Sequence, residues 1–232
     1  MAAEGQTAGC VDSGGATMIA RLVSLAPALA VLFALGASVT PARAVDGTWT
    51  GATTNEWTTG TNWSSIPLNT VPDNTATFTN NGAPTSVTIS ANGFPINTIQ
   101  FDAGAPAYSF ANNVIFNING AGIVNNSAFA PSFTNISTLN FNNSSTAGNA
   151  TFTNSANLQF FSTSTAGSAT ITNNLNLQFF DSSTAGNASI TNNNGAIRFF
   201  NTNTAGSATI TNNAGLVEFQ STSTAGNATI TT

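Results

Sequence analysis

The chain of 232 residues contains no lysine, no histidine and a single cysteine, Cys10. Its only basic residues are Arg21, Arg43 and Arg198, against eight acidic residues. Three arginines cannot build a cationic surface for phosphate groups, which argues against nucleic acid as a partner. Without histidine or lysine, the usual activation of a nucleophilic serine is also missing.

The N-terminus has the pattern of a secretory signal peptide. From Met18 the chain reads MIARLVSLAPALAVLFALGASVTPARA, with a base at Arg21, an apolar stretch from Leu22 to about Val39, and a small-x-small site that ends at Ala44. This order predicts export and cleavage after Ala44. A membrane anchor is the alternative, but a cleavage site directly behind the apolar run argues against it.

Residues 1–17 do not fit an export signal, because they carry Glu4 and Asp12 and no base. This favours a translation start at Met18, with an extended leader as the alternative. In both cases Cys10 is absent from the mature chain, which must be stable without disulfides. We therefore assign residues 1–44 to a leader and signal peptide.

A phrase close to STAGSATITN recurs five times in the C-terminal part of the chain. Its glycines are spaced by 19, 19, 20 and 20 residues, and a Leu/Ile/Val-x-Phe phrase places its Phe seven residues before each glycine. Both phrases alternate apolar and polar residues, as strands do. The five glycines are Gly148, Gly167, Gly186, Gly206 and Gly226.

Units of this length cannot bury an apolar face alone, whereas stacked coils can. We therefore predict an all-β fold, a right-handed single-stranded parallel β-helix with 19–20-residue rungs. Ala169 and Ile171 are expected in the core and Gly167 at a bend. A stacked turn ladder is expected at Asn154, Asn173, Asn192 and Asn212.

The rest of the chain alternates in the same way but with irregular spacing, as in TATFT, SVTIS and INTIQF. We predict an N-terminal Trp-rich cap at 45–80, irregular rungs at 81–138 and regular tandem repeats at 139–232. The cap would cover the open edge of the first rung. Thr232 lies inside the fifth copy of the phrase, which predicts a chain truncated at its C-terminus.

The acidic residues suggest neither a catalytic pair nor a metal site. Glycoside cleavage needs two carboxylates roughly 5–10 Å apart, whereas the repeat phase places Asp181 and Glu218 in different columns. Glu218 is instead expected to pair with Arg198 of the neighbouring rung. Calcium sites need several clustered oxygens, which this sequence does not supply. We predict no catalytic, cofactor-binding or metal-binding residues, no cofactor, and a protein that is not an enzyme.

Three sets of residues are candidates for surface binding. Trp49, Trp57 and Trp63 would form a sugar-stacking platform if exposed, although burial at the N-terminal end is favoured. Phe161, Phe180 and Phe200 would be core if the chain bends there, which we favour, or an outward apolar stripe if it does not. The outward Thr-x-Thr pairs would form a hydroxyl array similar to the ice-binding face of some antifreeze proteins, or would be ordinary solvent-facing strand residues. The array consists of Thr151, Thr153, Thr170, Thr172, Thr209, Thr211, Thr229 and Thr231, with Ser189 and Thr191 between them.

Residues 47–80, GTWTGATTNEWTTGTNWSSIPLNTVPDNTATFTN, resemble the start of bacterial autotransporter passengers. INTIQFDAGAPAYSF and FNINGAGIVNNS resemble the coils that follow in such passengers, and the tandem phrase is similar to autotransporter-associated β-strand repeats. The resemblance covers essentially all of 45–232. It implies a β-helical passenger that is carried by a C-terminal outer-membrane barrel, which this sequence does not include. The residues that carry the opening pattern are Trp49, Gly51, Trp57, Asn62, Trp63, Pro72, Asp73 and Phe78.

Together these features predict an exported passenger segment that acts as a non-enzymatic surface stalk or adhesin, at the cell surface and outer membrane or secreted. The expected partners are a host cell, a glycan or a second copy of the chain. Two alternatives stay open. One is an ice- or carbohydrate-binding module that uses the Thr-x-Thr array, and the other is the front part of a larger enzyme whose active domain lies beyond Thr232.

Overall fold

Strands make up nearly all the regular structure of residues 43–232, the part of the chain that the computed structural model describes. The predicted start at Met18, the apolar run and Cys10 lie outside these residues. A single 3₁₀ turn in the described part spans Gly60–Asn62. The strands are β1 (Gly47–Trp49), β2 (Trp63–Ser65), β3 (Thr75–Phe78), β4 (Ser86–Ile89), β5 (Ile96–Phe101), β6 (Ser109–Asn112), β7 (Phe116–Asn125), β8 (Ser132–Asn135), β9 (Thr138–Phe141), β10 (Thr151–Asn154), β11 (Asn157–Phe160), β12 (Thr170–Asn173), β13 (Asn176–Phe179), β14 (Ser189–Asn192), β15 (Ala196–Phe199), β16 (Thr209–Asn212), β17 (Leu216–Phe219) and β18 (Thr229–Thr231).

From β3 onward, successive strands alternate between two parallel sheets. The first sheet has ten strands in the order β17-β15-β13-β11-β9-β7-β5-β3-β1-β2, and the second has eight in the order β18-β16-β14-β12-β10-β8-β6-β4. Only the β1–β2 pair is antiparallel among the described strands. One strand from each sheet makes one rung, so the predicted parallel β-helix is confirmed.

Rung length can be followed through the equivalent asparagine of each rung. The steps from Asn154 to Asn173 and from Asn173 to Asn192 are 19 residues, and the next step, to Asn212, is 20. These values confirm the period read from the repeats. The earlier step from Asn112 to Asn135 is 23 residues.

The longer N-terminal rungs keep their register through a bulge in the ten-residue strand β7. Ile96 and Thr98 of β5 pair with Ile118 and Gly122 of β7, so two extra residues of β7 lie between them. An extra residue that bends the strand leaves the inward and outward alternation intact on either side. The irregular spacing in the sequence is therefore absorbed locally.

The interior is built from columns of like residues. The rings of Phe141, Phe160, Phe179, Phe199 and Phe219 stack with centroid spacings of 4.7–4.9 Å and interplanar angles of 4–9°. Each such contact contributes about 0.5–1.5 kcal/mol beyond area burial. Ala169 and Ile171 are fully buried, as predicted.

A column of asparagines lies at the inner ends of the strands of the second sheet. Asn154 donates a hydrogen bond of 2.8 Å to the side-chain oxygen of Asn173, which donates another of 2.8 Å to Asn192. Asn192 donates in turn to Asn212, and the same chain of bonds begins earlier, from Asn112 to Asn135. The predicted ladder is confirmed and extends two rungs beyond the repeats.

The Ser-Thr-Ala-Gly part of the phrase forms a third side of the rung. Thr165 makes a single-residue parallel bridge to Thr146 and to Thr184, and its hydroxyl accepts a hydrogen bond of 3.0 Å from the backbone of Gly167. Gly167 has φ +62°, as its predicted place at a bend requires. A Cβ at Gly167 would lie 2.8 Å from the backbone oxygen of Gly148, so the rungs leave no room for one.

The three tryptophans close the N-terminal end of the stack. Trp49, Trp57 and Trp63 are buried and contact one another edge to face, with ring centroids 5.0 and 4.8 Å apart. Trp49 and Trp57 also pack on Phe78 of β3. Burial was the favoured prediction, and it leaves no indole face free to stack on a sugar. Because β3 already pairs with β5, the first rung begins inside the range predicted for the cap.

Candidate functional surface

The outward side of the eight-stranded sheet is lined almost entirely by hydroxyl groups. In each of its strands the first and third residues point outward, while the second is at least half-buried. Strand pairing in register lines these positions up in two columns. We name this surface the hydroxyl face. Its members are Ser86, Thr88, Ser109, Ala111, Ser132, Thr134, Thr151, Thr153, Thr170, Thr172, Ser189, Thr191, Thr209, Thr211, Thr229 and Thr231.

The hydroxyls of this face are barely used by the protein itself. Within residues 43–232, only Thr88 and Thr231 take part in side-chain hydrogen bonds, the first as acceptor from Asn55 and the second to the backbone of Ile210. The other side-chain hydroxyls of the face bond to no protein atom in that part of the chain. No member of the face is charged.

The outward side of the ten-stranded sheet behaves differently, because its polar groups bond to each other across rungs. Gln159 donates a hydrogen bond of 2.8 Å to Gln178, and Asn176 donates one of 3.0 Å to Asn157. The next two positions in the glutamine column are Arg198 and Glu218, whose Nε and Oε2 atoms lie 3.3 Å apart. The predicted ion pair is confirmed. Both side chains are about one-third exposed, at 31% and 36%.

Phe161, Phe180 and Phe200 form a second aromatic column at the corner that follows the ten-stranded sheet. Their rings stack 4.8 Å apart at 5–6°. The chain does bend there, since Ser162 and Asp181 adopt φ +58° and +59°. The rings are half-buried rather than enclosed, so neither the core prediction nor the exposed stripe holds in full. Because the ring faces cover one another, the column turns its edges toward the solvent.

The two acidic residues considered for catalysis are not brought together. Asp181 lies in the turn after β13 and accepts a hydrogen bond of 2.9 Å from the backbone of Ser162. Glu218 lies in the middle of β17 and pairs with Arg198. Across residues 43–232, no three His, Cys, Asp or Glu side chains cluster in a way that would hold a metal ion.

Tyr108 is the one group in the described chain whose pKa is clearly shifted. Burial raises the pKa of its phenol above the ordinary value of 10.0, because the charged form is poorly solvated there. Its hydroxyl lies 3.0 Å from the backbone oxygen of Thr79 and 2.9 Å from that of Gly82. Tyr108 thus acts as a buried tie between turns.

An open groove beside β1 and β2 is lined by Arg43, Asp46, Ser65, Ile66 and Thr77 among others. It holds one base and one acid. Ala44, the predicted cleavage position, is exposed and precedes β1 by three residues. None of the helical segments that the structure describes is long and apolar enough to cross a membrane.

The eight threonines predicted from the tandem phrase all lie on the hydroxyl face. The sequence reasoning missed the N-terminal half of this face, which comes from β4, β6 and β8. The pattern that would have revealed it is present, since SVTI, SFAN and SFTN share the alternation of TFTN and TITN. The spacing of 23 residues concealed it.

Comparisons of the chain with known protein families, with curated proteins and with solved structures find no match.

Proposed function

We propose that the chain is an exported passenger segment, of the autotransporter type that its sequence resembles, and that it acts as a non-enzymatic surface stalk or adhesin. The observation that supports this is the stacking of rungs in register, each presenting the same kinds of side chain as the last. Such a stack gains length with every repeat, by 4.7–4.9 Å per rung between the phenylalanine rings of the interior. Length and repetition are what a stalk needs.

Internal ladders make the stack suitable for bearing a load. The buried asparagines, the stacked phenylalanines and the threonine bridges each join every rung to the next. Contacts made outside by such a repeated surface would be individually weak, but several made at once reinforce each other. Adhesion by avidity therefore follows from the same repetition that provides the length.

Export is tested by expressing the full chain in a Gram-negative host and determining the N-terminus of the protein outside the cytoplasm. We expect the product to begin at Val45, because the small-x-small site ends at Ala44. The variant Ala44→Trp should accumulate uncleaved, since the bulky side chain does not fit that site. A chain that stays in the cytoplasm with its first residues intact would contradict the export proposal.

The stalk or adhesin role is tested with variants in which residues 157–175, one rung, are duplicated or deleted. Beads coated with equal amounts of each protein are presented to cultured cells, and retention under flow is counted. We expect retention to rise with the number of rungs, while circular dichroism per residue stays constant. Retention no higher than that of beads coated with albumin, in all three proteins, would rule out adhesion through the rungs.

A further inference from the structure

We propose that the hydroxyl face binds the surface of ice. This inference goes beyond the stalk or adhesin role and does not depend on it. It rests on three properties of the eight-stranded sheet: its outward side is planar, its hydroxyls repeat at constant distances, and those hydroxyls bond to almost nothing in the protein.

The planarity follows from the side-chain columns. Neighbouring strands of a sheet are usually rotated by roughly 20–25°, and flat sheets are generally held so by stacked side chains or ladders. Here successive phenylalanine rings from Phe141 to Phe219 are within 4–9° of parallel. The half-buried column from Phe161 to Phe200 shows 5–6°. Successive rungs in the repeats are therefore related almost by pure translation, and the outward side of the second sheet is nearly flat.

The hydroxyl groups lie on a regular grid. Along the helix axis they repeat with the rungs, whose ring centroids are 4.7–4.9 Å apart. Along each strand the two outward residues are two positions apart, or about 6.6 Å at the rise of a parallel strand. Oxygen atoms recur at comparable distances in two directions on the prism plane of hexagonal ice. A rigid grid of this kind can meet many lattice positions at once.

The chemistry of the face also fits frozen water better than an ordinary partner. An isolated hydroxyl that exchanges water for another hydrogen-bond partner gains little net free energy. A gain therefore needs many hydroxyls acting together on a partner that is itself ordered. The face carries no charge, so it neither requires nor selects a charged partner. Thr170 and its neighbours Thr151 and Ser189 are exposed, which leaves the centre of the grid accessible.

A crystalline polysaccharide is a less suitable occupant, because aromatic ring faces are the usual platform for sugar rings. Trp49, Trp57 and Trp63 are buried, and the column beginning at Phe161 turns edges outward. The hydroxyl face itself contains no aromatic residue. Binding to polysaccharide is thus an outcome against which the proposal can be tested.

The test measures thermal hysteresis and crystal shape in a nanolitre osmometer with the purified full chain. Wild-type protein should shape growing ice crystals into facets and separate the freezing from the melting temperature. Thr170→Tyr should reduce the hysteresis at least about tenfold, because a ring at the centre of the grid prevents simultaneous engagement of its neighbours. Thr170→Val, which keeps the strand shape and removes one hydroxyl, should cause a smaller loss.

The matched control is Thr163→Tyr, which places the same bulk on an exposed turn outside the hydroxyl face. It should leave the hysteresis unchanged, and thermal unfolding followed by circular dichroism should show all three variants folded. Ice growth in wild-type protein that equals growth in buffer overturns the proposal. Equal losses in Thr163→Tyr and Thr170→Tyr also overturn it. So does retention on crystalline cellulose without retention on ice, or a dimer that Thr170→Tyr dissociates.

Discussion

The side-chain amide of Asn154 donates a hydrogen bond of 2.8 Å to the side-chain oxygen of Asn173 in the next rung, and both residues are fully buried. The relationship repeats between Asn173 and Asn192. A buried amide without partners would be costly, so each rung of the ladder depends on the next. The ladder therefore fixes both the register and the spacing of the stack.

Replacing Asn173 by Ala should destabilise the protein by about 2–3 kcal/mol, because Asn154 and Asn192 each lose a buried partner. The midpoint of thermal unfolding should fall by roughly 5–10 °C for a chain of this size. The matched control is Asn174→Ala, one position along, where the side chain belongs to an exposed ladder with Asn193. That variant should change stability by about 0.5 kcal/mol or less. Equal effects in the two variants would contradict the importance of the buried ladder.

Gly167→Ala should destabilise the protein by roughly 1–3 kcal/mol, since its φ of +62° is strained for alanine and the new Cβ would press on Gly148. Chemical denaturation measures the change. Gly104→Ala is the control, because its Cβ would make only ordinary contact, 3.7 Å from Asn80. We expect that variant to be neutral or slightly stabilising, as the unfolded chain loses freedom. A loss at Gly104 as large as that at Gly167 would show that the tight turn is not the cause.

The regular half of the fold could be predicted because a β-helix converts a period in sequence directly into a stack in space. Ile171, Gly167 and the asparagine ladder follow from that single step. The turns after the first sheet could not be predicted in the same way. Ser162 and Asp181 adopt the left-handed conformation without being glycine, and polar residues of this kind are common in many turn types.

The candidate surface was predicted only where the period was regular. The repeats gave Thr151 to Thr231, whereas the Ser and Thr residues of β4, β6 and β8 were hidden by rungs of a different length. The half-burial of Phe161 depends on how sharply the corner turns, which alternation alone does not determine. Trp49 was predicted correctly because a large apolar side chain at the end of a stack has a clear use in covering it.

The double variant Arg198→Gln with Glu218→Gln should leave stability within about 1 kcal/mol of wild type, because a half-exposed ion pair contributes little. The two new amides continue the column of Gln159 and Gln178, which already share a hydrogen bond of 2.8 Å. Added salt should slightly lower the thermal midpoint of the wild type but not that of the double variant. A double-mutant cycle supplies the coupling, and a value well above 1 kcal/mol would show that the pair is more important than its exposure suggests.

Tyr108 should make the protein less stable in alkali. Burial raises the pKa of its phenol in the folded chain above 10.0, so the folded state keeps the proton that the unfolded state releases. The stabilising contribution is complete below about pH 10, and it is lost as the pH rises toward the folded pKa. Because Tyr108 is the only tyrosine in the sequence, tyrosinate absorbance reports on it alone, and its titration in native protein should lie above that in urea.

Tyr108→Phe separates the ionisation from the hydrogen bonds. At neutral pH this variant should be less stable by about 1–2 kcal/mol, because the carbonyls of Thr79 and Gly82 lose their shared donor. Above pH 10 the difference should shrink, since the wild type alone carries the cost of ionising a buried phenol. Denaturant unfolding at a series of pH values measures both curves. Parallel curves for the two proteins would mean that Tyr108 ionises as freely in the folded chain as in the unfolded one.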